Sequence, residues 1–306
     1  MNDKKIKRFK TLALITTGIT YFLIFVGGLV RVSGAGLGCP DWPKCFDRWI
    51  PPTSVDQLPA HIDPNLFNFT LAWIEYINRL IGMVTGLFIA ATAIVAITNF
   101  RKYPKIVYPS IAAALLVAFQ GWQGSQVVAS ALEPVVITIH MLLAFLIVSI
   151  VLYVYLQAFF LANPDLKGQG TPGIKAGLIL LYIITIIQVV MGTQMRSELQ
   201  ELAEAFPMLS AAEWISKLGP VNPLHTLLGI VVLGLAIFVT MKLYQSAAIS
   251  LEYFKITLIS LNTLIVIQLL IGFALIWIGI PPLLQVMHLW VSSLIVGALL
   301  IVYVGS

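Results

Sequence analysis

Charge is what this chain has least of. Only 10% of its 306 residues are Asp, Glu, Lys or Arg, against roughly 25% in a soluble domain. A water-soluble globular fold is excluded on that ground. Cysteine is nearly missing: Cys39 and Cys45 are the only two, so at most one disulfide can form. Histidine is almost as rare, with His61, His140, His225 and His288. The net charge is +5, but its placement speaks for membrane topology and not for nucleic-acid binding.

What is abundant is apolar sequence. Hydrophobic residues make up 59% of the chain, in recurrent runs of about 20, the length that crosses a bilayer. Eight spans are expected, at roughly 11–31, 79–99, 107–130, 135–161, 174–196, 223–245, 254–279 and 283–304. The first is too long, and its exit too unlike a cleavage site, for a signal peptide. With both termini in the cytoplasm, 12 of the 18 Lys and Arg fall in inside segments and 6 in outside segments or span edges, as the positive-inside rule requires. The outside loop 32–72 then holds both cysteines and His61. A disulfide is chemically permitted there. Segment 197–222, with helical spacing of Leu and Ala, is expected to lie on the outer membrane surface.

The two halves repeat. Gly27-x-x-x-Arg31 matches Gly192-x-x-x-Arg196, and Asn78-Arg-Leu-Ile-Gly82 matches His225-Thr-Leu-Leu-Gly229. Gln120-x-x-x-Gly124 matches Gln268-x-x-x-Gly272, and His140 matches His288. Four spans per half make a parallel duplication. The fold expected is all-α: a polytopic membrane protein of eight transmembrane helices in two tandem pseudo-symmetric four-helix bundles, residues 1–165 and 166–306. The breaker-rich linker 162–174 separates them.

The repeat defines four equivalent positions near the outer face: Asn78, His140, His225 and His288. A polar ring inside a membrane is costly unless it has a partner. His225 and His288 on neighbouring helices suit axial ligation of a b-type haem; the bland alternative is a pair of interhelical hydrogen-bonding histidines. Zinc would want a third and fourth N or S ligand, and none is nearby. Arg31, Arg79 and Arg196 at outer span ends suit haem propionates, or plain snorkelling. Glu75 and Asn78 share a helix face; Glu75 reads equally as a working carboxylate or as an acid favoured at a helix start. Its equivalent in the other half is Asn222. Cys39 and Cys45 read as a loop-closing disulfide or a redox pair. His61 reads as a solvated loop residue.

The chain resembles the haem A synthase family over essentially its whole length. The resemblance rests on Gly34-Ala-Gly-Leu-Gly-Cys-Pro-Asp-Trp-Pro-Lys-Cys45, on Glu75-Tyr-Ile-Asn-Arg79, and on the histidines that open spans 4, 6 and 8. It implies oxidation of the C8 methyl of haem O to a formyl group. A haem b cofactor would sit on His225 and His288, with Arg196 beside it. The haem O substrate would sit in the N-terminal half, near His140, Asn78, Arg31 and Arg79. The family's acid falls on Glu75, and its redox-proposed cysteine pair on Cys39 and Cys45. Expected partners are haem O, a haem O synthase, a membrane electron acceptor and the lipid of a bacterial inner membrane. Nucleic acid is not expected, and oligomerisation stays open. One departure stands out: the family pattern is Glu-x-x-His-Arg, and this chain has Asn78 in place of that histidine. A non-catalytic membrane cytochrome b, carrying electrons or haem, is the alternative. A transporter would want polar residues near the midplane, and here they cluster near the outer face.

Overall fold

The computed structural model describes residues 3–168, 171–245 and 252–306. Among these the chain is all-α, with no extended pairing beyond one isolated bridge between Cys45 and Arg48. The helices are α1 (Asp3–Val32), α2 (Phe69–Asn99), α3 (Pro104–Ala129), α4 (Pro134–Ala162), α5 (Pro172–Ala205), α6 (Ala211–Lys217), α7 (Val221–Gln245), α8 (Glu252–Ile278) and α9 (Pro282–Gly305). All but the short α6 are long and apolar enough to cross a membrane. The protein is a multi-pass membrane protein. A spanning segment must satisfy its backbone internally, which is why each apolar run closes into a helix. Four of the helices begin with proline, at Pro104, Pro134, Pro172 and Pro282, where its missing N–H and fixed φ cost nothing.

The helices overrun the apolar runs in three places. α1 starts at Asp3, within the basic tail. α2 starts at Phe69, where the Asn68 side chain accepts a hydrogen bond from Leu71 N–H and caps the helix. α5 continues through Ser197-Glu-Leu-Gln-Glu-Leu-Ala-Glu-Ala205. That stretch is rich in strong helix formers and meets no breaker until Pro207, which turns Phe206 out of helical geometry. Part of the segment expected to lie on the surface is therefore a continuation of a span. The remainder holds α6, started by a reciprocal Ser210–Glu213 capping box. The hydrogen bonds from Ser210 hold the Glu213 carboxyl below its ordinary range.

Two compact units divide the chain. One is Thr11–Val151; the other is Leu152–Ser306 with the N-terminal segment up to Lys10. In the first, Ile89 of α2, Ala113 of α3, and Ile147 and Val151 of α4 share a core, and Thr16 of α1 meets Thr92 of α2 hydroxyl to hydroxyl at 3.0 Å. In the second, α5, α7, α8 and α9 share one core that includes Leu181, Ala236, Leu261 and Leu299. The division cuts α4 because its last turns, Leu152, Leu156 and Phe160, pack with Val304 of α9.

Candidate functional site

In the Thr11–Val151 unit, the loop between α1 and α2 is tied to α2 by side chains from one helix face. The two cysteines are joined by a disulfide, Cα to Cα 4.7 Å, and both are buried. Gly38 lies so close to α2 that a β-carbon there would stand 2.3 Å from the Leu71 carbonyl oxygen; only glycine allows that approach. Glu75, 4% exposed, accepts a hydrogen bond at 2.7 Å from Cys39 N–H through Oε2. Its Oε1 is paired with Arg79 one turn on. Arg79 spends its remaining donors on the loop, giving Nη1 to the carbonyls of Asp41 at 2.9 Å and Lys44 at 2.7 Å. Asp41 accepts from Phe46 N–H and Asp47 N–H and so holds two left-handed non-glycine residues in a row. The Glu75–Arg79 pair is thus first a buried clamp on the disulfide loop. His61 lies away from it, exposed, with Asp47 at 2.9 Å.

Each of the three intramembrane histidines rests on a glycine of a neighbouring helix. A β-carbon built at Gly124 would be 3.5 Å from His140 Cε1, at Gly192 3.5 Å from His225 Cε1, and at Gly272 3.3 Å from His288 Cε1. Four residues before each glycine stands a glutamine. Gln120 Nε2 donates to the His140 carbonyl at 2.9 Å, and Gln188 Nε2 to the His225 carbonyl at 2.8 Å. Gln268 reaches His288 through Ser292, whose hydroxyl donates to the His288 carbonyl at 2.8 Å. All three glutamines leave Oε1 buried without a partner. The recurrence in α5 went unread in the sequence, although Gln188-x-x-x-Gly192 is legible there. The fourth copy is incomplete: Leu23 stands before Gly27, Asn78 replaces the histidine, and a β-carbon on Gly27 would meet nothing within 4 Å.

His225 and His288, both in the second unit, face one another with ring centroids 6.4 Å apart and planes at 55°. Nδ1 of each ring is buried with no hydrogen-bond partner. An unmade buried hydrogen bond costs roughly 1–3 kcal/mol, and of the two rings only His288 has a backbone group within its reach, on Gln268. Two imidazoles bound through nitrogen to one iron, at about 2.0 Å each, put their ring centres roughly 6.3 Å apart. The residues present fit a bis-histidine iron. Among the described residues, no third His, Cys, Asp or Glu joins the pair to make a zinc-type cluster. Arg196, one turn beyond Gly192 on α5, keeps Nε buried without a partner. Arg31 occupies the matching place in the last turn of α1. Asn78 Oδ1 is also buried and unpartnered.

A family model described as cytochrome oxidase assembly protein, COX15-CtaA, matches residues 10–300. The chain belongs to that family. Among relatives, a "Heme A synthase" from Shewanella oneidensis is 33% identical over 47% of this chain and 43% of its own length. One from Geobacillus kaustophilus is 32% identical over 40% and 35%. A third, from a Wolbachia of Brugia malayi, is 22% identical over 97% and 96%. The chain thus spans less than half the length of the first two relatives and nearly all of the third. The family match runs through both compact units and takes in every residue of the two histidine sites and of the loop clamp.

Proposed function

We propose that this chain is a haem A synthase, oxidising the C8 methyl of haem O to a formyl group. The observation that carries the reading is the asymmetry between units. One holds two imidazoles at iron-bridging separation; the other holds a single histidine, with Asn78 at the remaining equivalent position. A fully ligated iron suits electron transfer, and a site with one ligand suits chemistry on the haem bound there. Bound between His225 and His288, haem b supplies reversible one-electron transfer. Arg196 offers it a guanidinium for a propionate.

Haem O is taken in the N-terminal half, with His140 as the iron ligand and Arg31 as a propionate partner. The unpartnered Oδ1 of Asn78 accepts a hydrogen bond from a water or substrate donor beside the iron. Glu75 provides a carboxylate whose position is fixed at both oxygens, able to stabilise positive charge developing at the oxidised carbon. Arg79 serves by holding Glu75 and the loop, its donors already committed. Methyl to formyl removes four electrons and four protons overall and adds one oxygen atom from water or dioxygen. A membrane acceptor, or dioxygen itself, must take the electrons, and Cys39–Cys45 is a candidate relay. The two halves, 1–165 and 166–306, act as pseudo-symmetric bundles in a bacterial inner membrane with both termini cytoplasmic, served by a haem O synthase.

The test is haem extraction and chromatography after co-expression with a haem O-producing enzyme. Wild type should yield haem A or its hydroxylated precursor together with haem b. Glu75→Gln should keep haem b and lose at least about 90% of the product, the scale of removing one electrostatic stabiliser. Haem b alone from the wild type would overturn the synthase reading in favour of a cytochrome.

A further inference from the structure

His140 differs from the other two histidines in one respect: its Nδ1 has a partner, the side-chain oxygen of Gln123. Gln123 is 4% exposed and lies one residue before the shelf glycine, Gly124, on α3. The matching positions before Gly192 and Gly272 are Met191 and Ile271, which can accept nothing comparable.

The orientation of the Gln123 amide is decided by its other contact. Nε2 donates to the Val136 carbonyl at 2.8 Å, and a carbonyl cannot itself donate. The amide nitrogen must therefore face Val136, which leaves only the oxygen to face His140. That oxygen needs an N–H, so Nδ1 carries the proton. A neutral imidazole has one N–H, so Nε2 carries the lone pair. Gln120 holds the backbone of the same residue, and Gly124 supports the ring. A single stretch of α3 fixes His140 at three points.

We propose that Gln123 is a positioning residue for the substrate site: by accepting from His140 Nδ1–H it presents Nε2, in one tautomer and one ring orientation, to the substrate haem iron. This rests on the reading of His140 as the substrate-side ligand. The physical need is specific to this half. In the two-histidine site neither Nδ1 has a side-chain acceptor, and a shared iron would tie each ring to the other. With Asn78 in place of a second histidine, nothing across the iron orients His140, and a hydrogen bond behind the ring takes over that task.

The experiment uses purified full-length protein in detergent, reduced, with haem O added. The readout is the iron–histidine stretching band in the resonance Raman spectrum, which a five-coordinate haem gives and a bis-histidine haem does not. The haem b absorbance of the C-terminal half reports folding in every variant. The band should be present in wild type and absent in His140→Ala. In Gln123→Met it should shift to lower frequency, with haem O affinity down about tenfold or more, the usual cost of losing such a support. Gln123→Glu keeps an acceptor oxygen for His140 but gives up the donor to Val136, and should bring the band back to the wild-type frequency or above it. A band and affinity unchanged in Gln123→Met, alongside their loss in His140→Ala, would overturn the role of Gln123 while leaving His140 as ligand. Persistence of the band in His140→Ala would overturn the ligand reading itself, and the inference with it.

Discussion

A flat ring packed against a helix leaves little room for a side chain on its neighbour, and the margin differs among the three shelves. At Gly272 an added methyl would stand 3.3 Å from His288 Cε1, closer than most real β-carbon contacts; at Gly192 the 3.5 Å distance is ordinary contact. Gly272→Ala should therefore displace its ring by a few tenths of an ångström and lower the haem b retained on purification. Gly192→Ala should retain nearly the wild-type amount. A pyridine haemochrome ratio of haem to protein distinguishes them, and equal loss from both would remove the shelf argument. Gly38 is a harder case. Its would-be β-carbon meets a helix carbonyl at 2.3 Å, and a backbone cannot step aside. Gly38→Ala should detach the loop from α2 at a cost of about 1–3 kcal/mol, visible as faster proteolysis within residues 33–68. The histidines were legible in the sequence because polar rings are rare in apolar runs. Gln123 was visible only as one of three glutamines on a span; its bond to His140 depends on how α3 and α4 pack, and spacing along one helix does not report that.

Helices and loops were legible to different depths. Eight apolar runs correspond to eight helices long enough to span among the described residues, because in lipid a run of that length has no other way to satisfy its backbone. The ends were less legible, since α2 and α5 extend through residues whose helicity is set by a cap at Asn68 and a stop at Pro207 instead of by hydropathy. The disulfide loop is legible as irregular, but its attachment is not: Arg79 reads in the sequence as suited to a haem propionate or to plain snorkelling, and in the structure its donors go to Glu75 and to loop carbonyls. That attachment predicts strong coupling. Removing one member of a buried ion pair costs about 3–5 kcal/mol, because the other is left charged and unpaired. Arg79→Met should destabilise the loop by that order, and Glu75→Gln with Arg79→Met together should cost less than the sum of the two single changes. A double-mutant cycle on thermal unfolding measures the coupling. Additive losses would mean that the pair is not the clamp.

At the scale of the whole chain, the repeat is a four-fold recurrence of one device: a glutamine, a glycine four residues later, and a histidine resting on the glycine. Three copies are complete, and the fourth has Leu23 where the others have glutamine and Asn78 where they have histidine, while keeping Gly27. The joint absence fits a substrate half that works with one iron ligand. Rebuilding the copy should then lower product rather than raise it. In Leu23→Gln with Asn78→His, the first unit acquires a second imidazole and the glutamine that supports its backbone, so bound haem O becomes six-coordinate. The reduced spectrum should show a second low-spin haem in addition to the haem b of the C-terminal half, the iron–histidine band of the substrate haem should disappear, and product in the haem extract should fall. Asn78→His alone should do this less completely, because its backbone turn lacks the glutamine. A double variant that makes more haem A than wild type would show the opposite: that this chain carries a damaged copy, and that two histidines are what the substrate site requires.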